Sequence, residues 1–469
     1  MQSSAVTNGN LEEDAVCAGS SNPIPTTTIL SLPSEILAEI LRMIEEDDID
    51  RWRGYESLLL GKICLNWRAI AWSTPSLWSR VDLYLSKKRY LVQTELLAGW
   101  LQRSKAVPLT IRIQTIYTER EYWRESKPME MLKLLASHSW HWKNIYLCAP
   151  PDWDDDLQPV RDNVPLLETL HLERCWDGAA DYFPSLTVFV NAPLLHDVHL
   201  IYTYFPKVTL PWHQITTFKA NHLYVAECLT VLRHCYQMRE CHFSVVTEDD
   251  EPLLPIGLTH KCLEWLEITW ARNDVISLLL NPCTLPTLRR LECCGGHERI
   301  RETVSITSFI QRSGCILESL SFDKIFFFEE DAIVCLRNTP SVVELQIAMG
   351  VAQALSVKFL AAVTSPDTPL LPNLRSLTIQ GYVSFNAEEL MEMLDRRWAR
   401  PKELSWPFSQ LKSLTIISPF RSAENSRLKL SELVLGGLDL PLTCTYDRMD
   451  SHEQMVIRFA EGENIRYSS

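Results

Sequence analysis

The chain has 469 residues, a formal charge of −14 and 46% hydrophobic residues, enough for a sizeable core and more than one structural unit. The acidic balance argues against nucleic acid as a partner, because phosphate backbones call for clustered Lys and Arg. No window approaches the ~18 consecutive apolar residues of a membrane span, so no membrane is expected either. Only 15 Gly are present, which disfavours Gly-rich phosphate loops. The first ten residues carry neither a basic stretch nor an apolar core of the secretory kind. Together with 14 Cys, this points to free thiols in a reducing compartment, cytoplasmic or nuclear.

Residues 1–28 are polar and read as a disordered tail. From Pro33 the apolar residues fall at Ile36, Leu37, Ile40, Leu41 and Ile44, a helical stripe. Pro33 suits a first helical turn, and Glu35 complements the helix dipole. A second stripe runs Leu59, Ile63 and Trp67, with Leu60, Cys64 and Ile70 beside it. Helices this short do not hold an apolar stripe in water alone. They would pack together and leave apolar surface for a partner. Periodicity equally describes a plain helical cap on the domain that follows.

The string Leu32-Pro33-Ser-Glu35-Ile36-Leu37, then Cys64-x-x-Trp67-Arg68, then Leu77-Trp78, resembles an F-box over roughly residues 30–80. The resemblance implies a helical module that docks on the Skp-family adaptor of a cullin ubiquitin ligase. It implies adaptor contact through Leu32, Pro33, Ile36, Leu37, Ile40 and Leu41, with Trp67, Leu77 and Trp78 holding the module together. The link Glu45–Tyr55 is longer and more charged than the usual inter-helix loop of that family.

Behind the module, apolar-x-x-apolar-x-apolar recurs. The copies are Trp142/Ile145/Leu147, Leu167/Leu170/Leu172, Leu195/Val198/Leu200, Ile215/Phe218/Ala220, Met238/Cys241/Phe243 and Leu263/Leu266/Ile268. They continue as Leu288/Leu291/Cys293, Leu317/Leu320/Phe322, Val342/Leu345/Ile347, Leu374/Leu377/Ile379 and Leu411/Leu414/Ile416. The interval averages about 27 residues, within the leucine-rich-repeat range. Pro stands two residues ahead at Pro165, Pro193, Pro286, Pro340 and Pro372, where it fixes the turn into a strand. Further copies suggest themselves at Trp78/Val81/Leu83 and Leu430/Leu433/Leu435. Between copies, helices are expected at Val225–Tyr236, Asp274–Leu280, Ser305–Gln311, Asp331–Leu336, Val357–Val363 and Ala387–Trp398. The expected fold is α/β: F-box helices at 29–80, then an irregular leucine-rich-repeat solenoid at 81–440. Its curved parallel sheet would lie inside and its helices outside, with a C-terminal cap or tail at 441–469.

The middle x of each copy would line the face turned away from the core. Those residues are Tyr146, His171, His199, Lys219, His242, Glu267, Glu292, Ser321, Gln346, Thr378 and Thr415. The first seven are the candidate substrate face; solvated strand residues carrying little binding energy are the plain alternative. Trp153 and Trp212, beside acidic or Pro-containing loops, are candidate partner anchors. No phosphate loop, dinucleotide fingerprint, nucleophile elbow or His-Glu-x-x-His string is present. Cys293, Cys294 and His297 lack a second ligand pair at finger spacing, so neither catalytic residues, metal nor cofactor is expected. The chain resembles the F-box-like proteins of fungi, whose repeats are divergent. That likeness implies a substrate-recognition adaptor joining a Skp adaptor and cullin scaffold to an unknown protein substrate. The alternative is a repeat-based interaction scaffold that does not join a cullin complex.

Overall fold

A computed structural model describes residues 33, 35–40, 56–174, 185–203, 205–249, 256–270, 275–295, 302–324, 328–349, 354–399, 407–419, 442–449 and 452–460. The chain divides into two compact units, Met1–Trp78 and Ser79–Ser469. Leu32, Leu41, the tail 1–28, the link 45–55, His297 and the Leu430/Leu433/Leu435 copy lie outside the described residues. No helix among the described residues is long and apolar enough to cross a membrane.

The first unit is helical. Residues 35–40 form α1, Glu56–Ile63 form α2 and Leu65–Ser73 form α3. Cys64 caps α3, its sulfur accepting from the Trp67 amide at 3.4 Å. The α2–α3 pair is close-packed: a Cβ added at Gly61 would overlap the Trp72 indole, so only glycine admits that contact. Arg68 Nε donates to the Gly61 carbonyl at 2.7 Å across the same gap. Trp78 then folds back, its Nε1 donating to the Ala71 carbonyl at 2.8 Å and its ring meeting Trp72 edge-on at 5.2 Å. Trp67, Leu77 and Trp78 are buried.

The second unit is mixed α/β, built on one open sheet. Thirteen parallel strands follow one another in chain order: β1 (Arg80–Leu85), β2 (Leu109–Thr115), β3 (Trp142–Ala149), β4 (Thr169–Arg174), β5 (Asp197–Ile201), β6 (Thr217–Asn221) and β7 (Glu240–Val246), then β8 (Trp265–Trp270), β9 (Arg290–Cys294), β10 (Ser319–Asp323), β11 (Glu344–Ala348), β12 (Ser376–Gln380) and β13 (Ser413–Pro419). Two further strands, β14 (Leu442–Met449) and β15 (His452–Ala460), close the C-terminal edge antiparallel, in the order β13-β15-β14. Parallel neighbours need crossovers. These carry α4 (Tyr90–Ser104), α5 (Arg120–Glu125), α6 (Met129–Ser137), α7 (Val225–His234), α8 (Val275–Leu280), α9 (Glu302–Ser313), α10 (Glu329–Arg337), α11 (Val357–Thr364) and α12 (Ala387–Leu394). Each of α7 to α12 touches the next, as does α4 with α6.

All eleven sequence copies become strands β3–β13, and the Val81 copy becomes β1. The three apolar positions of the eleven copies are buried, forming three apolar rows that cross the sheet. Each full burial of such a side chain stabilises by roughly 1.5–3 kcal/mol. No copy can hide its rows without its neighbours, which explains the unbroken succession.

Register is set by a repeated device just ahead of each strand. The Glu168 carbonyl accepts from both His196 N and Asp197 N; His196 O serves Thr216 and Thr217, and Thr216 O serves Arg239 and Glu240. The pattern continues through Arg239, Glu264, Arg289, Glu318, Val343 and Arg375. Side chains reach back one repeat as well: His260 to Cys235 O, Arg312 to Cys283 O, Ser341 to Leu317 O and Arg397 to Leu371 O. These bonds satisfy turn carbonyls that would otherwise be left unpaired.

Trp153 does not serve as an exposed anchor. It is fully buried, its Nε1 donating to the Trp123 carbonyl at 3.0 Å and its ring edge-on to Trp123 at 6.4 Å. Asp154 beside it is also buried: Arg174 Nη2 donates to both of its carboxylate oxygens, at 2.7 and 2.9 Å, whereas Asp155 is exposed. Trp212 is half-buried against Phe205 and Phe218.

Candidate functional site: the open face of the sheet

Side chains alternate across a strand, so the residues between the buried rows emerge on the opposite face. The middle-x residues therefore fall into one row. The register pairs Tyr146 with His171, His171 with His199, His199 with Lys219, Lys219 with His242, His242 with Glu267 and Glu267 with Glu292. Ser321, Gln346, Thr378 and Thr415 continue it. All seven candidate face residues are thus brought together. Six are half-exposed; His242 is buried to 8% exposure.

The row extends further than the copies indicate. Asp82 on β1 and Arg112 on β2 stand in register with Tyr146. Strand β2 escapes the copy pattern because Leu109, Ile111 and Ile113 alternate strictly instead of following the apolar-x-x spacing. Its alternation is itself a strand signal.

Two halves of the row differ in chemistry. From β2 to β6 it is a row of neighbouring rings bracketed by cations. The Arg112 guanidinium lies over the Tyr146 ring at 4.8 Å; the Tyr146 and His171 ring centres are 4.4 Å apart and those of His171 and His199 4.1 Å, each pair tilted. Lys219 follows. Burial, then the nearby His199 and Arg112, pushes His171 down to about 3. Burial, then Lys219 and His242, pushes His199 down to about 4. Both imidazoles are neutral at neutral pH, and His171 Nδ1 is buried with no hydrogen-bond partner among the described residues. Burial raises Asp82 and Asp197 above the usual carboxylate range.

From β7 to β9 the charges satisfy one another. His242 Nδ1 donates to Glu267 Oε2 at 2.6 Å, and that bond holds Glu267 below its usual range. His242 Nε2 is left buried and unpartnered. Arg290 Nε donates to Glu292 at 2.6 Å while its guanidinium covers the Trp265 ring at 4.3 Å; His242 meets that ring edge-on at 4.5 Å. A bulge interrupts pairing between Phe243 and Val246, where Val245 holds a left-handed φ of 55°. Bulges of this kind re-aim side chains next to sites.

No group of three or more His, Cys, Asp or Glu among the described residues is arranged to hold a metal ion. Cys293 is buried on β9, in keeping with its inward position, while Cys294 donates to Asp323 at 3.3 Å.

In the helical unit, Pro33 is exposed, Ile36 is 50% exposed and Ile40 is half-buried. Leu37 is not available for an external contact: at 0% exposure it belongs to the core, because the stripe must turn one residue of each adjacent pair inward. Leu59, Ile63 and Leu65 are exposed instead, at 44%, 58% and 79%. Leu59 and Ile63 belong to the second apolar stripe of the sequence; Leu65 does not. An apolar recess beside them is lined by Leu58, Leu59, Gly61, Lys62, Arg68 and Trp72. Singly exposed Leu is ordinary on a protein surface; several on so small a helical unit are less so.

Comparison with protein-family models gives no match, and neither does comparison with curated proteins.

Proposed function

We propose that this chain is a substrate-recognition subunit of a Skp–cullin–F-box ubiquitin ligase. The helical unit docks on the Skp-family adaptor, and the sheet unit, a divergent leucine-rich-repeat solenoid, holds a protein substrate. The observation that carries the reading is the pairing of two features in one chain. A helical unit built around Trp67, Leu77 and Trp78 leaves Ile36, Leu59, Ile63 and Leu65 exposed, and it precedes an in-register parallel array with a polar open face. The F-box resemblance of Leu32–Leu37, Cys64–Arg68 and Leu77–Trp78 supports the adaptor half. The array supports the substrate half.

The chain makes no covalent bond in this scheme. Tethering raises the effective concentration of substrate lysines near a charged enzyme that performs the transfer elsewhere in the complex. The test is co-expression with a Skp-family adaptor and capture, with a Leu32→Asp/Ile36→Asp variant alongside. Ile36 is chosen over Leu37 because a charge at buried Leu37 would unfold the unit. Capture that the variant loses supports docking. Failure of folded wild-type chain to capture any adaptor removes the ligase reading and leaves a free-standing interaction scaffold.

A further inference from the structure

Arg112 and Lys219 differ from the other cations of the open face. Arg290 on β9 is paired with Glu292. Arg112 makes neither ion pair nor hydrogen bond among the described residues; its contact is the Tyr146 ring, and in-register Asp82, though not ion-paired with it, lies near enough to be felt electrostatically. Lys219 likewise has no hydrogen bond or ion pair, although Asp197 and Glu267 lie near enough to be felt electrostatically. Both are half-buried. A cation partly removed from water without a partner gains most from an anion that arrives with its ligand.

The two cations mark the ends of a track. Arg112 is on β2 and Lys219 on β6, four strand spacings of about 4.8 Å apart, roughly 19 Å in all. Between them lie three adjacent rings tilted against one another, with an unpartnered Nδ1 on His171. An extended peptide advances about 3.3 Å per residue, so acidic side chains about six positions apart span the track. Small or amide-bearing residues between them would lie over the rings. The chain's charge of −14 gives no long-range attraction to such a ligand, so recognition is local to these two cations.

We infer that the β2–β6 half of the open face holds an extended acidic segment of a protein partner across the strands, one carboxylate on Arg112 and a second, about six residues away, on Lys219. This deepens the reading of the open face as the substrate-holding surface and is independent of adaptor docking.

The experiment uses the full chain and fluorescein-labelled Ser/Ala/Gln-based peptides carrying two Glu about six positions apart, two Lys, or two Gln at the same positions, read by fluorescence anisotropy. The Glu peptide is expected to bind and the Lys and Gln peptides to bind at least about fivefold more weakly, as for a partly exposed charge contact. Arg112→Gln and Lys219→Gln should each weaken the Glu peptide about fivefold, and Arg290→Gln by less than about twofold. Arg112→Lys and Lys219→Arg preserve charge, and each should recover most of the affinity. Equal binding of all three peptides, no saturable binding of the Glu peptide, or equal losses in Arg290→Gln would overturn the inference. Adaptor capture is scored separately, so loss of the ligase reading and loss of this site are distinguishable.

Discussion

The β2–β6 and β7–β9 halves of the open face share parallel pairing and buried apolar positions beneath, yet their side chains behave in opposite ways. In one, Arg112, Tyr146, His171 and His199 make ring contacts and, like Lys219 beside them, do not close their polar groups on each other. In the other, His242, Glu267, Arg290 and Glu292 close on themselves within 2.6 Å bonds. One position per repeat therefore decides whether a stretch of sheet is available to a partner or already satisfied. The backbone array fixes the spacing of these positions and leaves their chemistry free to vary.

The core should not share this asymmetry. Phe218→Ala beneath the open half and Phe322→Ala beyond the satisfied half should each cost about 3–5 kcal/mol in urea unfolding, because both remove a fully buried ring. Clearly unequal losses would mean that the halves differ in packing as well as in surface chemistry. The buried Asp154–Arg174 pair is expected to resemble the core on single replacement. Asp154→Leu leaves a buried uncompensated guanidinium and should cost about 3–5 kcal/mol, whereas Asp154→Leu with Arg174→Met should return close to the parent.

Surface bonds come next in size. Glu267→Gln removes a charge-assisted bond and should lose about 1 kcal/mol, while His199→Gln, which breaks no hydrogen bond, should lose less. Equal losses would erase the comparison.

The smallest effect is a pH slope. His171 and His199 have folded values of about 3 and about 4, below the unfolded value near 6.5. Between those limits the unfolded chain binds more protons, so stability falls as pH drops from about 6.5 toward 4. Glu267, held low, loses its contribution at still lower pH, as acid reaches its folded value. Asp82 and Asp197, raised by burial, act in the opposite sense just above pH ~3.8. Melting temperatures at pH 7 and pH 5 should therefore differ more in the parent than in His171→Gln/His199→Gln. An identical difference in both would show that these rings do not carry the slope.

Strand positions are readable from the sequence because each repeat must bury the same three apolar places, from Trp142/Ile145/Leu147 to Leu411/Leu414/Ile416. The expected helices also form, with shifts of one to three residues at most ends; the stretch Ala387–Trp398 instead ends as α-helix at Leu394, and a π-turn runs from Asp395 to Ala399. β2 is missed by the copy pattern, although its strict alternation is a strand signal of its own. The antiparallel pair Leu442–Met449 and His452–Ala460 is hidden because it carries no copy of the pattern. At the site, the row from Tyr146 to Glu292 follows from period-two alternation alone. The ring contacts, the free cations and the inward turn of Leu37 and Trp153 do not, since each depends on which neighbour a side chain meets across strands or helices. Pairwise side-chain geometry of that kind leaves no trace in periodicity.

Ubiquitin transfer to the acidic peptide itself joins both ends of the account. Reconstituted cullin ligase, Skp-family adaptor and charged conjugating enzyme would be given the two-Glu peptide extended by a flexible segment bearing one Lys. Ubiquitin should appear on that Lys only when the chain is present, and it should be lost with either Leu32→Asp/Ile36→Asp or Arg112→Gln/Lys219→Gln. Chain-independent transfer, or none although adaptor and peptide are both bound, would contradict the claim that this protein works by holding a partner beside a ligase.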